Sequence, residues 1–100
     1  MNRKICVVGL GYVGEPLANA LSKKFTIFGL DTNRQLIKKL RNADKNYPVY
    51  DEIQDVPDCC TYIITVPTPV DKNHVPDFSP LINACSMIGE RLKKNDLIIF

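Results

Sequence analysis

"KICVVGLGYVGEPL", residues 4–17, puts a short apolar run, a G-x-G-x-x-G turn and the start of an amphipathic segment in direct succession. The run Lys4–Leu10 has charge on one side and glycine on the other, as a buried strand should. Beyond the turn, Val13, Leu17, Ala20 and Leu21 recur at helical spacing over residues 14–24. Pro16 falls in the first turn of that helix, where a missing N–H costs nothing. The glycines therefore lie between a strand and a helix, the setting that gives this spacing meaning. Gly9 permits the tight turn off the strand. Gly11 lacks a Cβ, so a diphosphate can approach the backbone. Gly14 lets the helix pack close to the sheet. The free N–H groups around Tyr12 and Val13, with the helix dipole, supply the anion site.

The next elements test this reading independently. "FTIFGL" (25–30) is a second apolar strand, and Asp31 ends it. An acidic residue is expected about 20 positions past the turn, where its carboxylate accepts the ribose hydroxyls of the adenosine half. The same charge repels a 2′-phosphate, so the expected cofactor is NAD and not NADP. "TNRQLIKKLRN" (32–42) is a second helix, capped by Thr32 or Asn33, with Leu36, Ile37 and Leu40 inside.

Residues 43–58 are polar, turn-rich and read as irregular. "CTYIITV" (60–66) is the third recognisable strand, stopped by Pro67 and Pro69. "VPTP" (66–69) thus ends on the same sheet edge as the glycine turn, the edge along which open α/β sheets bind ligands. The stretch 67–79 is a proline-rich surface loop. Ser79 is the expected cap of a third helix with Leu81, Ile82, Cys85, Ile88 and Leu92 as its inner stripe. "DLIIF" (96–100) is a fourth strand.

Strands alternating with helices pair in parallel through right-handed crossovers. The expected architecture is an α/β Rossmann-like parallel sheet, truncated, with strand order 3-2-1-4 and helices on both faces. The whole chain, 1–100, is expected to be one partial NAD-binding domain, a fragment of a longer chain. Its last strand is left at an open edge that invites pairing with another copy, a route to a homo-oligomer.

Composition narrows the function classes. Thirteen basic and eleven acidic residues leave a net charge of +2, no argument for nucleic acid or membrane. The basic clusters at Lys38–Arg41 and Arg91–Lys94 fall where solvated helix faces are expected. Cys6, Cys59, Cys60 and Cys85 form no C-x-x-C pair, and His74 is the single histidine, so no metal site is expected. Cys6 and Cys85 lie in apolar patterns and read as buried side chains. All four read as reduced thiols of a cytoplasmic protein. The N-terminal apolar run is too short for a signal peptide or a membrane span. His74 lies in the proline-rich loop without a carboxylate partner at helical spacing, so it reads as exposed and not as a base.

"KICVVGLGYVGEPLA", "GLDTN", "YIITVPTPV" and "PDFSPLINACSMIGERLKKNDLIIF" together resemble the N-terminal domain of nucleotide-sugar 6-dehydrogenases, the UDP-glucose/GDP-mannose dehydrogenase family. "VPTP" followed by "PDFSPL" is most similar to the branch acting on UDP-N-acetylhexosamines in surface-polysaccharide synthesis. The resemblance implies oxidation of a sugar C6 alcohol to a carboxylate in two NAD-dependent steps, through a covalent intermediate on a cysteine. It implies that this cysteine, its helpers and most of the UDP-sugar site lie beyond Phe100. None of the four cysteines here matches it, so no catalytic residue is expected in this chain and the chain alone is expected to be inactive. Carried over by motif are Gly9, Gly11, Tyr12, Val13 and Gly14 at the pyrophosphate, Asp31 at the ribose, and Val66, Pro67 and Thr68 at the far side of the NAD.

Three departures stand out from the family pattern. Glu15 replaces an apolar residue and adds negative charge near the anion site. Leu36 stands where the family often has Lys or Arg, with Arg34 as the nearest substitute. The segment before the 60–66 strand is shorter than usual. Two alternatives remain at this stage. One is a dehydrogenase of the β-hydroxyacid type, which "VPTP…PDFS" fits poorly. The other is a non-enzymatic NAD-binding module.

Overall fold

The structure is a computed structural model describing residues 3–43 and 45–100. In chain order it runs β1 (Lys4–Val8), α1 (Gly14–Leu21), β2 (Thr26–Leu30), α2 (Arg34–Asn42), β3 (Val49–Tyr50), a 3-10 turn (Ile53–Asp55), β4 (Thr61–Ile64), α3 (Ser79–Gly89) and β5 (Leu97–Ile99). All strand pairs are parallel, in the order β3-β2-β1-β4-β5. The order 3-2-1-4 recurs with a fifth strand added, but its third and fourth places are filled by other segments than expected.

The strand in third place was not expected. It is Val49–Tyr50, inside the stretch read as irregular, and "CTYIITV" takes fourth place beside β1. Two residues cannot display a period. The strand exists because the β2 backbone needs partners on its outer side: Gly29 N–H donates to Pro48 O at 2.9 Å and Asp31 N–H to Tyr50 O at 3.0 Å.

The alternation along β1 assigns its side chains to two layers. Cys6 and Val8 face α3, with Phe28, Leu30, Tyr62, Ile64, Ala84 and Ile88 around them. Ile5 and Val7 face α1 and α2, with Ala18, Ile27, Ile37, Leu40, Tyr47 and Val49. Both faces of the central strands are covered, which is why β1 and β2 read as continuous apolar runs. Burial departs from the sequence reading at three places. Cys59, and not Cys85, is the second fully buried cysteine. Ile82 is exposed and Leu92 lies past the helix, because α3 turns Ala84 and Ile88 inward. Ser79 does not cap α3. Asp77 Oδ1 accepts the Ser79 N–H at 2.9 Å, and hydrogen bonds from the Ser79 hydroxyl and then its N–H hold the Asp77 carboxyl below its ordinary range.

Arg91 ties the connection before β4 to α3. It donates to Ile53 O at 2.9 Å and to Val56 O at 2.7 Å, and reaches Asp58 at 3.5 Å. β5 forms the other edge of the sheet, with Leu97 and Ile99 exposed.

Candidate functional site

The carboxyl ends of β1, β2 and β4 converge on one crevice of ≈ 410 Å³, with α3 as its far wall. Gly9, Gly11, Asp31, Val66 and Pro67 line it, as do Thr32, Asn33, Pro80, Asn83, Ala84 and Met87. Five of the nine expected site residues thus meet in one place. Gly14 is buried beneath the turn, and Val13 is exposed at the helix mouth. Tyr12 is fully exposed and faces a second cavity on the α2 side. Thr68 is exposed and does not line the crevice.

Each glycine of the turn has a different physical reason. Gly9 has φ +95°, a region that favours glycine, and its N–H donates to Leu30 O at 2.8 Å. A Cβ there would stand 3.0 Å from the Thr65 and Val66 backbone. A Cβ on Gly14 would stand 1.7 Å from Gly9 O, so α1 can approach the turn only through a glycine. Gly11 is the exception. Its φ is not positive and a Cβ would meet nothing within 4 Å. No described residue requires a glycine there, and the space in front of its backbone is open.

Donors surround that space. The Glu15 N–H turns back to Gly11 O at 3.1 Å, the first step of α1. The N–H groups of Tyr12 and Val13 before it have no carbonyl partner among the described residues. They sit at the positive end of an eight-residue helix. Beside the turn, Asp31 is held from both sides. Its Oδ2 accepts the Leu10 N–H and its Oδ1 the Asn33 N–H, each at 2.9 Å. A carboxylate has about four lone-pair directions, so two acceptor positions remain. An amide-lined anion cradle facing a fixed carboxylate suits a dinucleotide diphosphate and its ribose, and these residues fit NAD. When bound, NAD supplies a hydride acceptor. An apolar slot of Val66, Pro67, Ala84 and Met87 completes the lining of the crevice.

Two features escaped the sequence reading. Thr65 Oγ1 reaches Gly9 O at 2.8 Å and Val8 O at 3.3 Å, pinning the turn to β4. Its one signal is a hydroxyl interrupting the apolar run "YIITV". Lys45 pairs with Glu15, so the carboxylate expected to disturb the cradle carries its own counterion. Arg34, by contrast, turns to Asp51 (3.7 Å) and Glu52 (3.2 Å) and does not line the crevice. His74 is exposed. Among the described residues no cluster of His, Cys, Asp and Glu could hold a metal, and no helix is long and apolar enough to cross a membrane.

Comparison with known proteins agrees with this geometry. A UDP-N-acetyl-D-glucosamine 6-dehydrogenase of Pseudomonas aeruginosa is 40% identical over 111 aligned positions, covering 97% of this chain and 26% of the relative. Those 111 positions exceed the 100 residues here, so the relative carries residues within the span that this chain lacks. Protein CapL of Staphylococcus aureus is 34% identical, covering 100% of this chain and 27% of its own. A UDP-D-ManNAc dehydrogenase structure from Pyrococcus horikoshii superposes with a TM-score of 0.84 at 25% identity, over 95% of this chain and 27% of that one. The chain spans about a quarter of the length of the relatives it matches. The family model described as "UDP-glucose/GDP-mannose dehydrogenase family, NAD binding domain" matches residues 3–55, the span that holds the glycine turn and Asp31. By that match, the chain belongs to the UDP-glucose/GDP-mannose dehydrogenase family and carries the sequence of its NAD-binding domain.

Proposed function

We propose that this chain is the N-terminal NAD-binding portion, residues 1–100, of a cytoplasmic nucleotide-sugar 6-dehydrogenase. The whole enzyme oxidises the C6 hydroxyl of a UDP-N-acetylhexosamine to the uronate, for surface-polysaccharide synthesis. The names of the similar bacterial and archaeal proteins support the substrate class. Catalytic groups and the sugar site belong to the remainder of such an enzyme, and this chain contributes the cofactor-binding site alone. Gly9, Gly11 and Gly14, with the Tyr12 and Val13 amides, hold the pyrophosphate. Asp31 takes the adenosine ribose. Val66 and Pro67 bound the far side, with Thr68 at its rim. The exposed Leu97 and Ile99 leave β5 open to a second copy or to further chain.

The observation that carries the reading is Gly11, a glycine that no described residue requires, beside a carboxylate fixed by two backbone amides. The test is a titration of the chain with NAD and with NADP, then of Asp31→Ala with both. NAD is expected to bind more tightly than NADP to the unmodified chain, and the ratio of the two affinities to collapse toward one in Asp31→Ala. The ratio separates cofactor recognition from any general loosening, since lost packing weakens both ligands alike. Equal binding of NAD and NADP by the unmodified chain would refute the role of Asp31.

A further inference from the structure

Lys45 lies far from the glycine motif in sequence, in the connection between α2 and β3, yet it reaches the first turn of α1. There its ammonium pairs with Glu15, and both side chains are about three-quarters buried, at 27% and 24% exposure. Glu15 and Lys45 line a cavity of ≈ 440 Å³ together with Gly11 and Tyr12. This cavity and the dinucleotide crevice share Gly11, so the ion pair stands on the other side of the same turn.

A carboxylate at this position has two opposed effects. It suits the positive end of α1. It also competes with a ligand anion for that same end, and it repels the anion at short range in a partly buried setting. A bare Glu15 would therefore stabilise the helix while weakening the cradle. The paired Glu15 keeps its place at the helix start with little net charge. Tyr47 lies behind it, 4% exposed, its phenol pushed up to about 12 by burial and then by Glu15. The neighbouring hydroxyl thus stays neutral and adds no charge at physiological pH.

We infer that Lys45 is a positioning residue for the dinucleotide: by neutralising Glu15 beside the glycine turn, it keeps the cradle able to accept a diphosphate. The inference rests on the NAD reading above. It predicts a charge effect, not a contact, so Lys45 acts through Glu15 and does not touch the ligand.

The test measures NAD dissociation constants at low and high salt for the unmodified chain, Lys45→Ala, Glu15→Gln, the double variant and Lys39→Ala, with a thermal melt of each. Lys45→Ala is expected to weaken NAD roughly tenfold at low salt, an effect that shrinks at high salt as the charge is screened. Glu15→Gln added to Lys45→Ala is expected to restore binding, and Glu15→Gln alone to bind at least as well as the unmodified chain. Lys39 lines the same cavity with no carboxylate partner among the described residues, so Lys39→Ala is expected to change little. Unchanged binding in Lys45→Ala, a loss not restored by Glu15→Gln, or an equal loss in Lys39→Ala would overturn the inference. Weaker binding by Glu15→Gln alone would also overturn it, even if Lys45→Ala fails to fold. If the unmodified chain does not bind NAD, the NAD reading itself fails; if it binds and only the Lys45 effects are missing, this inference alone fails.

Discussion

Gly11→Ala separates folding from ligand binding more cleanly than any other change in the glycine turn. In the free protein the new methyl enters open space, with no heavy atom within 4 Å and no positive φ to strain. Gly→Ala at such a position removes unfolded-state freedom and raises stability by about 0.4–1 kcal/mol. With a diphosphate in place, the methyl occupies the approach to the Tyr12 and Val13 amides. Each amide–phosphate hydrogen bond is charge-assisted and contributes about 1.5–3 kcal/mol. Losing one or two of them comes to about 3 kcal/mol, roughly a hundredfold in dissociation constant. Gly9→Ala and Gly14→Ala are the internal controls. Their Cβ atoms would stand 3.0 Å and 1.7 Å from backbone, so both are expected to unfold at lower urea than the unmodified chain. The assay pairs urea denaturation with NAD titration on all three variants. The reasoning fails if Gly11→Ala binds NAD as the unmodified chain does, or if it loses stability as Gly14→Ala does.

Two further predictions concern the frame around the site. Arg91→Met removes the donors to the Ile53 and Val56 carbonyls and is expected to lower the unfolding free energy by about 2 kcal/mol in urea melts; an unchanged midpoint would show that those carbonyls find water instead. Cys6 is pushed from 9.0 to about 12, first by burial and then by Cys59, so the folded state retains a proton that the unfolded state releases. Its contribution to stability is complete below pH 9 and is lost as pH rises from about 9 to 12, so melts taken across that window should fall in midpoint, and should fall less in Cys6→Ala than in the unmodified chain.

The parts of this fold legible in the sequence are those set by local backbone demands. The β1 and β2 runs are long enough to show burial on both faces. The glycine turn and Asp31 declare themselves because each residue type answers a nearby geometric need. β3 was invisible, since Val49 and Tyr50 become a strand only through hydrogen bonds to β2, some twenty residues earlier. At the start of α3, Ser79 read as the cap but is already the first helical residue, its N–H turned to Asp77, and only the chain's path into the helix decides that. Ile82 misled because its spacing fits the apolar stripe, while the small Ala84 lets the helix sit down on a neighbouring face. At the site, Thr65 and Lys45 were missed for a common reason. Each acts on the turn across a long stretch of chain, and no spacing rule reports such a contact.

Thr65 has one more consequence. Its single hydroxyl joins the loop after β1 to the end of β4, and its N–H donates to Val8 O at 2.8 Å. The loop after β1 and the end of β4 are therefore tied together before any guest arrives, so the entropy of ordering that turn is settled when the chain folds and not at each encounter.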